Sequence, residues 1–149
     1  MTGHRSDSGL YILWLRLSRD VRVPVGALGE VSLEKGVYAY VGSAQRNRLA
    51  RVRRHLRRDK VKRWHIDYLR PYGDVVAVTL SDGAKADECR LANYLIERWG
   101  ALRAVPRFGA SDCRCGGHLL AVPEEALHSV TSGMGWPSGT CFMAMELMQ

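Results

Sequence analysis

The order of apolar and polar residues predicts strands in the first part of the chain. The stretch from Gly9 to Leu17 is almost continuously apolar and rich in Tyr, Ile, Leu and Trp, which predicts a buried strand. Val21 to Val25 predicts a short second strand. Val37 to Val41 alternates as a further strand, with Tyr38 and Tyr40 on one face. This opening segment therefore predicts an antiparallel β-meander.

Helical spacing begins in the middle of the chain. Apolar residues recur on one side of a predicted helix from about Asn47 to Asp59. Trp64 to Leu69 predicts a short helical turn, and Val75 to Leu80 predicts another strand. A second helix is predicted from about Ala84 to Trp99, and His118 to Val122 can return to the sheet.

These elements predict one α+β domain, in which a small antiparallel β-meander sheet is flanked by helices. The domain is predicted to span residues 9–123, after a flexible N-terminus of residues 1–8. Residues 124–149 are interpreted as a C-terminal helix, Glu124 to Val130, followed by a tail of unknown role.

Composition restricts the class of protein. Apolar residues make up 46% of the 149 residues, which is enough for a hydrophobic core. No apolar run reaches the roughly 18 residues that span a bilayer, and the first residues lack the apolar core of a signal peptide. We therefore expect a soluble cytoplasmic protein without membrane contact, associated with the nucleoid if the source is bacterial.

Positive charge is concentrated in one segment. The chain has a formal net charge of +7, yet residues 46–70 hold eleven Lys or Arg and two Asp, a net of +9. Such a one-signed segment favours a polyanion partner, DNA or RNA, over an ordinary solvated face. The candidate DNA-contacting residues are Arg46, Arg48, Arg53, Arg54, Arg57, Arg58, Lys60, Lys62 and Arg63.

The same elements hold the groups that phosphodiester hydrolysis requires. Arg51 and His55 face out from the basic helix, where a guanidinium matches phosphate oxygens in two-point contacts. Glu88 offers a hard oxygen ligand for Mg²⁺ or Mn²⁺ near the start of the second helix. Tyrosines on the predicted strands add phenolic groups beside them.

The second half of the chain contains a cluster of sulfur and imidazole groups. Without an export signal, free thiols or a metal site are expected rather than disulfides. Cys89, Cys113, Cys115 and His118 could bind Zn²⁺, take part in an active cleft, or simply pack in the core. A thiol nucleophile beside His118 would instead indicate hydrolysis of another substrate.

The motifs resemble those of the GIY-YIG nucleases. The two tripeptides of that family have counterparts in Gly9-Leu10-Tyr11 and Tyr40-Val41-Gly42, followed by Arg51 in RLARVRRH and Glu88 in DECRLANYL. From Gly9 to about Val122 the chain resembles a compact branch that is sometimes fused to endonuclease-III-type DNA glycosylases. The marks of this branch are GVYAYVGSA, RVRRHL, WHIDYL, DEC and FGASDCRCGGHL.

The resemblance implies a role for each matching residue. Tyr11 would hold or activate the attacking water, and Tyr40 would help to position it. His55 follows Arg51 by one turn of the helix. Arg51 would bind the scissile phosphate, and Glu88 would bind the metal. The family often has an Asn after the metal-binding helix, and this chain has Phe108 to Asp112 in that region. The secondary candidates are Tyr38, Ser43, His65, Asp67, Ser111, Asp112, Cys113, Cys115 and His118.

The leading hypothesis is therefore a Mg²⁺- or Mn²⁺-dependent DNA endonuclease of the repair type. Since no base-reading motif is visible, we expect cutting directed by DNA structure or damage. The alternative is a non-catalytic nucleic-acid-binding module that Zn²⁺ could stabilise.

Overall fold

The computed structural model describes residues 7–109, 116–132 and 139–144, without the side chains of residues 131–132 and 139–142. Four secondary candidates, Ser111, Asp112, Cys113 and Cys115, therefore lie outside the described residues, as does most of the predicted flexible N-terminus.

The described residues contain eight strands and four α-helices. The strands are β1 (Gly9–Leu17), β2 (Val21–Pro24), β3 (Glu30–Leu33), β4 (Gly36–Ala44), β5 (Asp74–Ser81), β6 (Leu102–Arg103), β7 (Leu119–Val122) and β8 (Gly139–Met143). The helices are α1 (Arg48–Leu56), α2 (His65–Leu69), α3 (Glu88–Trp99) and α4 (Glu124–Ser132). Single 3-10 turns occur at Gly26–Leu28, Arg70–Tyr72 and Lys85–Asp87.

A six-stranded antiparallel sheet forms the centre, with the order β6-β7-β4-β1-β5-β8. This confirms the predicted α+β class and the antiparallel sheet flanked by helices. The hairpin β2–β3 forms a small sheet of its own, so β1 pairs directly with β4. The pairing of successive strands in the predicted meander is therefore wrong for β1, whose neighbours are β4 and β5.

The central strand β1 is buried on both faces. Leu13 and Leu15 face α1, α2 and the small sheet, whereas Ile12 and Trp14 face α3 and α4. All four side chains are fully buried. Burial on both sides explains why this strand is continuously apolar rather than alternating.

Helix α1 ends at Leu56, earlier than predicted, because side chains satisfy its last carbonyls. Lys60 donates to the carbonyl oxygens of Arg54 and His55 at 3.0 and 2.9 Å, and Arg70 donates to that of Leu56 at 2.9 Å. Cations at a helix C-terminus also oppose the negative end of its dipole. Part of the basic segment therefore stabilises the fold.

Helix α3 begins at Glu88, later than the predicted start at Ala84. The intervening residues form a 3-10 turn, in which the carboxylate of Asp87 accepts a hydrogen bond from the backbone N–H of Ala84 at 2.8 Å. This turn places Glu88 at the first position of the helix, beside the end of β4.

The segment after residue 123 belongs to the same fold. The predicted helix is present as α4, which packs on the sheet through Ala126, Leu127 and Val130. Residues 139–143, interpreted from sequence as part of a tail, form β8 and pair with β5 at the edge of the sheet. None of the helices in the described residues is long and apolar enough to cross a bilayer.

We expect the attachment of α3 to depend on Leu95, whose side chain is fully buried against the sheet. Leu95→Ala should lower the free energy of unfolding by about 2–5 kcal/mol, because it leaves a cavity in a packed layer. The matched variant Leu102→Ala should change it by less than about 0.5 kcal/mol, since Leu102 is 71% exposed. Urea denaturation followed by circular dichroism measures both values, and equal effects would contradict this packing.

Candidate active site

A cleft of about 810 Å³ lies where the start of β1, the end of β4 and the start of α3 meet. It is open to solvent and combines aromatic, cationic and acidic side chains. The lining residues are Tyr11, Tyr40, Val41, Gly42, Ser43, Gln45, Arg46, Arg51, Trp64, Lys85, Ala86, Glu88, Cys89, Gly109 and His118.

Tyr11 crosses from β1 onto β4 at Gly42. The two residues are direct partners in the antiparallel register, and the Tyr11 ring covers the glycine so closely that a Cβ there would lie 2.5 Å from Cζ. Only glycine leaves room for this ring. The ring packing holds the Tyr11 hydroxyl at the cleft wall, 3.0 Å from Nε2 of His55.

Tyr40 lies on the same face of the sheet as Tyr11. Its ring contacts those of His55 and Phe108 edge-on, at centroid distances of 6.2 and 5.9 Å. Gly109 passes directly over it with a φ of +68°, and a Cβ there would lie 2.8 Å from the ring. Burial raises the pKa values of Tyr11 and Tyr40 above the ordinary 10.0. Both phenols are therefore neutral at physiological pH.

The prediction that His55 faces out from the basic helix is wrong, because its side chain is 1% exposed. It lies behind Tyr11 and faces Asp67 with its other nitrogen. The Nδ1 atom lies 3.9 Å from Oδ1 of Asp67, which is an electrostatic contact beyond hydrogen-bond length. Burial lowers the pKa of His55, and Asp67 opposes that effect only in part. The imidazole is thus neutral near pH 7.

Asp67 is fully buried, and its carboxylate accepts hydrogen bonds from several N–H groups of the protein. Its Oδ2 atom accepts hydrogen bonds from the backbone N–H groups of Arg63 and Trp64 at 2.8 and 3.0 Å. Arg54 donates to both carboxylate oxygens, and Lys60 lies 3.5 Å from Oδ1. Burial alone would raise the pKa of Asp67, but the neighbouring His55 ring and these hydrogen bonds outweigh it and lower the pKa below its usual value.

Arg51 reaches the cleft from the middle of α1. It donates to the carbonyl oxygen of Ser43 at 2.9 Å, and its guanidinium lies over the Trp64 ring at 5.1 Å. These contacts fix the direction of the guanidinium, which also lies close enough to the Tyr11 hydroxyl to oppose the rise in its pKa. A guanidinium held in this way can bind an anion in the cleft.

Glu88 reaches the cleft from the first position of α3. One carboxylate oxygen accepts a hydrogen bond from the Ser43 hydroxyl, and the other lies 3.2 Å from Nδ1 of His118. Burial alone would raise the pKa of Glu88, but the hydrogen bonds from His118 and Ser43 outweigh it and lower the pKa. The carboxylate is therefore ionised. Two secondary candidates, Ser43 and His118, thus lie in the site by direct contact with Glu88.

Cys89 differs from its sequence-based expectation, because it is disulfide-bonded. Its partner is one of the other three cysteines, whose side chains lie outside the described residues. The expectation of free thiols is therefore wrong for Cys89. Its Sγ atom lies 3.7 Å from Nε2 of His118, but a disulfide sulfur is not a thiolate ligand. The zinc hypothesis can apply only to the reduced protein.

Two other secondary candidates lie away from the lining of the cleft. The hydroxyl of Tyr38 donates to the carbonyl oxygen of Glu34 at 2.6 Å. His65 accepts a hydrogen bond from the backbone N–H of Gly109 at 2.8 Å and contacts the Phe108 ring. His65 therefore anchors the loop that covers Tyr40, which is a structural role.

The nine candidate DNA-contacting residues divide into two groups. Four have their charged ends in contact with other groups of the chain: Arg48, Arg54, Arg58 and Lys60 contact backbone oxygens, carboxylates or both, and Arg58 does so at the surface. The other five are exposed: Arg46, Arg53, Arg57, Lys62 and Arg63. Among this exposed group, Arg46 lines the cleft.

Several lining residues have no signal in the sequence that marks them as parts of a site. Lys85 precedes Glu88 by one turn and adds a cation to the lining of the cleft. Trp64 begins the WHIDYL motif but was interpreted only as the start of a helix. Gly109 has no local signal beyond its type, because its tight approach to Tyr40 depends on the tertiary fold.

We expect the Asp67 carboxylate to make the free energy of unfolding depend on pH in the acidic range. Its folded pKa is lower than its unfolded value, so its contribution is complete above about pH 5 and is lost as the pH falls below 4. Asp67→Asn should cost on the order of 1–3 kcal/mol at pH 7 and should flatten the loss between pH 5 and pH 3. Urea denaturation at several pH values measures this, with the exposed Glu97→Gln as the control. An unchanged pH slope in Asp67→Asn would refute the assignment.

Comparison with known proteins identifies the family of the chain. Searches of curated proteins and of solved structures give no significant match. A family model matches residues 10–135, a span that contains every lining residue of the cleft. Because this span is most of the chain, the protein belongs to the family with the description "Domain of unknown function DUF123".

Proposed function

We propose that this protein is a metal-dependent endonuclease that hydrolyses DNA phosphodiester bonds, directed by DNA structure or damage as in repair. One observation carries the proposal: Tyr11, Arg51 and Glu88, from three separate elements, line a single cleft. The resemblance of the motifs to GIY-YIG nucleases supports it, since the same residues match that family's pattern. A DNA substrate also favours a cytoplasmic location, at the nucleoid in a bacterial cell.

The cations of the cleft fit a phosphodiester. Arg51 has its guanidinium fixed by Ser43 and Trp64, so it is organised before a substrate binds. Arg46 and Lys85 flank it in the same lining. Fixed cations around a phosphate stabilise the charge that develops on its oxygens as the nucleophile attacks.

Tyr11 and His55 fit the activation of water. In one arrangement the neutral phenol donates its proton to Nε2 of the neutral imidazole, so its oxygen can accept a hydrogen from a water in the cleft. As the water oxygen bonds to phosphorus, its proton moves to Tyr11 and the phenolic proton moves to His55. The ester bond breaks on the far side of the phosphorus, and the leaving oxygen takes a proton from solvent.

The chemistry of Glu88 fits one divalent cation. It is an ionised oxygen donor in the cleft, and each of its oxygens keeps a second lone pair beside the bond to Ser43 or His118. No group of three or more His, Cys, Asp or Glu among residues 7–109, 116–132 and 139–144 could enclose a metal ion. Mg²⁺ commonly binds to one carboxylate, waters and substrate phosphate, and there it would offset negative charge on the phosphate.

We expect Glu88→Ala to abolish cleavage and to leave DNA binding almost unchanged. The assay uses labelled single-stranded, duplex, flapped and abasic DNA and one RNA, with Mg²⁺ or Mn²⁺ and with EDTA. The cleavage rate should fall by at least about 10²-fold, because a metal ligand is removed. The control is Glu97→Ala, which removes an exposed carboxylate from the same helix. Cleavage by Glu88→Ala at the wild-type rate would disprove the metal assignment.

We expect Arg51→Ala to lower kcat by about 10²–10³-fold through loss of charge stabilisation at the phosphate. The matched variant is Arg53→Ala on the same helix, where Arg53 is exposed and outside the cleft lining. It should keep kcat and weaken binding only modestly. Single-turnover kinetics separates the loss of catalysis from the loss of binding. Equal losses of kcat in the two variants would contradict the role of Arg51 at the phosphate.

A second candidate is a nucleic-acid-binding module without catalysis. The observation that favours it is that both oxygens of Glu88 already contact protein donors, Ser43 and His118. In this case the protein would bind DNA with a strong dependence on salt but would not cut it. Zinc could stabilise such a module only when Cys89 is reduced.

A further inference from the structure

His55 lies between a phenol and a carboxylate in a buried line of groups. Its Nε2 atom is 3.0 Å from the Tyr11 hydroxyl, and its Nδ1 atom faces Oδ1 of Asp67 at 3.9 Å. The side chains of His55 and Asp67 are 1% and 0% exposed. A neutral imidazole carries one proton, so its neighbours decide which nitrogen holds it.

We propose that Asp67 is a positioning residue that keeps the proton of His55 on Nδ1. With the proton there, Nε2 is an acceptor and the Tyr11 hydroxyl must be the donor. The tautomer itself is independent of the proposed nuclease activity, whereas its catalytic consequence rests on that activity.

The surroundings of the imidazole favour this tautomer. An N–H group at Nδ1 meets the negative carboxylate, whereas a lone pair there would face it unfavourably in a site shielded from water. Lys60 and Arg54 also contact Asp67, and both are cations, so the carboxylate stays ionised beside the ring. The rings of Tyr40 and Trp64 cover further sides of His55 and add no formal charge.

The backbone fixes which oxygen of Asp67 faces His55. The Oδ2 atom accepts from the N–H groups of Arg63 and Trp64, and those donors cannot rotate away. Oδ1 is therefore the atom directed at the imidazole. The carboxylate holds its orientation through the start of α2 and not through His55.

The orientation of the Tyr11 hydroxyl follows from the tautomer. When Nε2 accepts the phenolic proton, the lone pairs of the Tyr11 oxygen can accept a hydrogen bond from a group in the cleft. With the opposite tautomer, Nε2 donates to Tyr11 and occupies one of those lone pairs. Asp67 would thus set the acceptor character of a hydroxyl that it does not touch.

Asp67→Asn is designed to invert the tautomer with little change of shape. The amide oxygen must take the place of Oδ2, because two backbone N–H groups donate there. The amide nitrogen then replaces Oδ1, where it gives up the contacts of that atom with Arg54 and Lys60 and presents a donor to Nδ1. His55 should respond by moving its proton to Nε2.

The test is a long-range ¹H–¹⁵N correlation spectrum of the five histidine side chains in the full-length protein, with His55→Gln to assign the His55 signals. The wild type should show Nδ1 with a protonated-type nitrogen shift and Nε2 with an unprotonated type. Asp67→Asn should exchange the two, and the exposed Glu97→Gln should change neither. If Asp67→Asn does not fold, the wild-type spectrum still tests the tautomer, because a proton on Nε2 contradicts the proposal.

A wild-type spectrum with the proton on Nε2, or a folded Asp67→Asn protein without the exchange, would overturn the proposal. Cleavage kinetics adds the functional arm: Asp67→Asn should lower kcat by about 10²-fold with KM little changed. A protein that cuts no DNA but shows the Nδ1–H tautomer would refute the nuclease function and leave the role of Asp67 in place. An exchanged tautomer with unchanged kcat would show that the tautomer has no part in catalysis.

Discussion

The pairing of β1 with β4 is the constraint on which the cleft depends. Its register puts Tyr11 directly opposite Gly42, and the ring can cross the neighbouring strand only because that position has no Cβ. A shift by one residue would turn Tyr11 to the other face of the sheet, away from His55. Close packing of β1 on both faces opposes such a shift, because Leu13 and Leu15 fit one apolar layer and Ile12 and Trp14 fit the other. The hydrophobic core therefore fixes the positions of the polar groups.

Burial and hydrogen bonding divide the ionisable groups of the site into two kinds. Tyr11, Tyr40 and His55 are neutral because the surrounding protein penalises their charged forms. Asp67 and Glu88 stay ionised because donors surround their carboxylates. Proton-transfer groups and charged groups are thus held side by side at neutral pH, which is the combination that general acid–base chemistry requires.

The sequence predicts this fold and site to the extent that local signals determine them. The apolar run of β1, the alternation of β4 and the periodicity of α3 predict elements that the structure confirms within a few residues. The end of α1 and the strand β8 were not predictable, since each depends on partners distant in sequence. For the same reason Lys85 and Gly109 escaped notice as parts of the cleft, and the number of arginines did not reveal which of them the fold itself uses.

The return of the chain to the sheet as β8 has a consequence for shortened forms of this protein. A fragment ending at residue 123, the predicted domain boundary, would lose both α4 and β8. The backbone N–H and C=O groups of β5 that now pair with residues 139–143 would then lie along an open edge. Open edges of this kind associate with other chains. Strand β8 therefore covers the edge of the sheet at β5. Recombinant fragments that omit α4 and β8 would be prone to self-association even with every cleft residue intact.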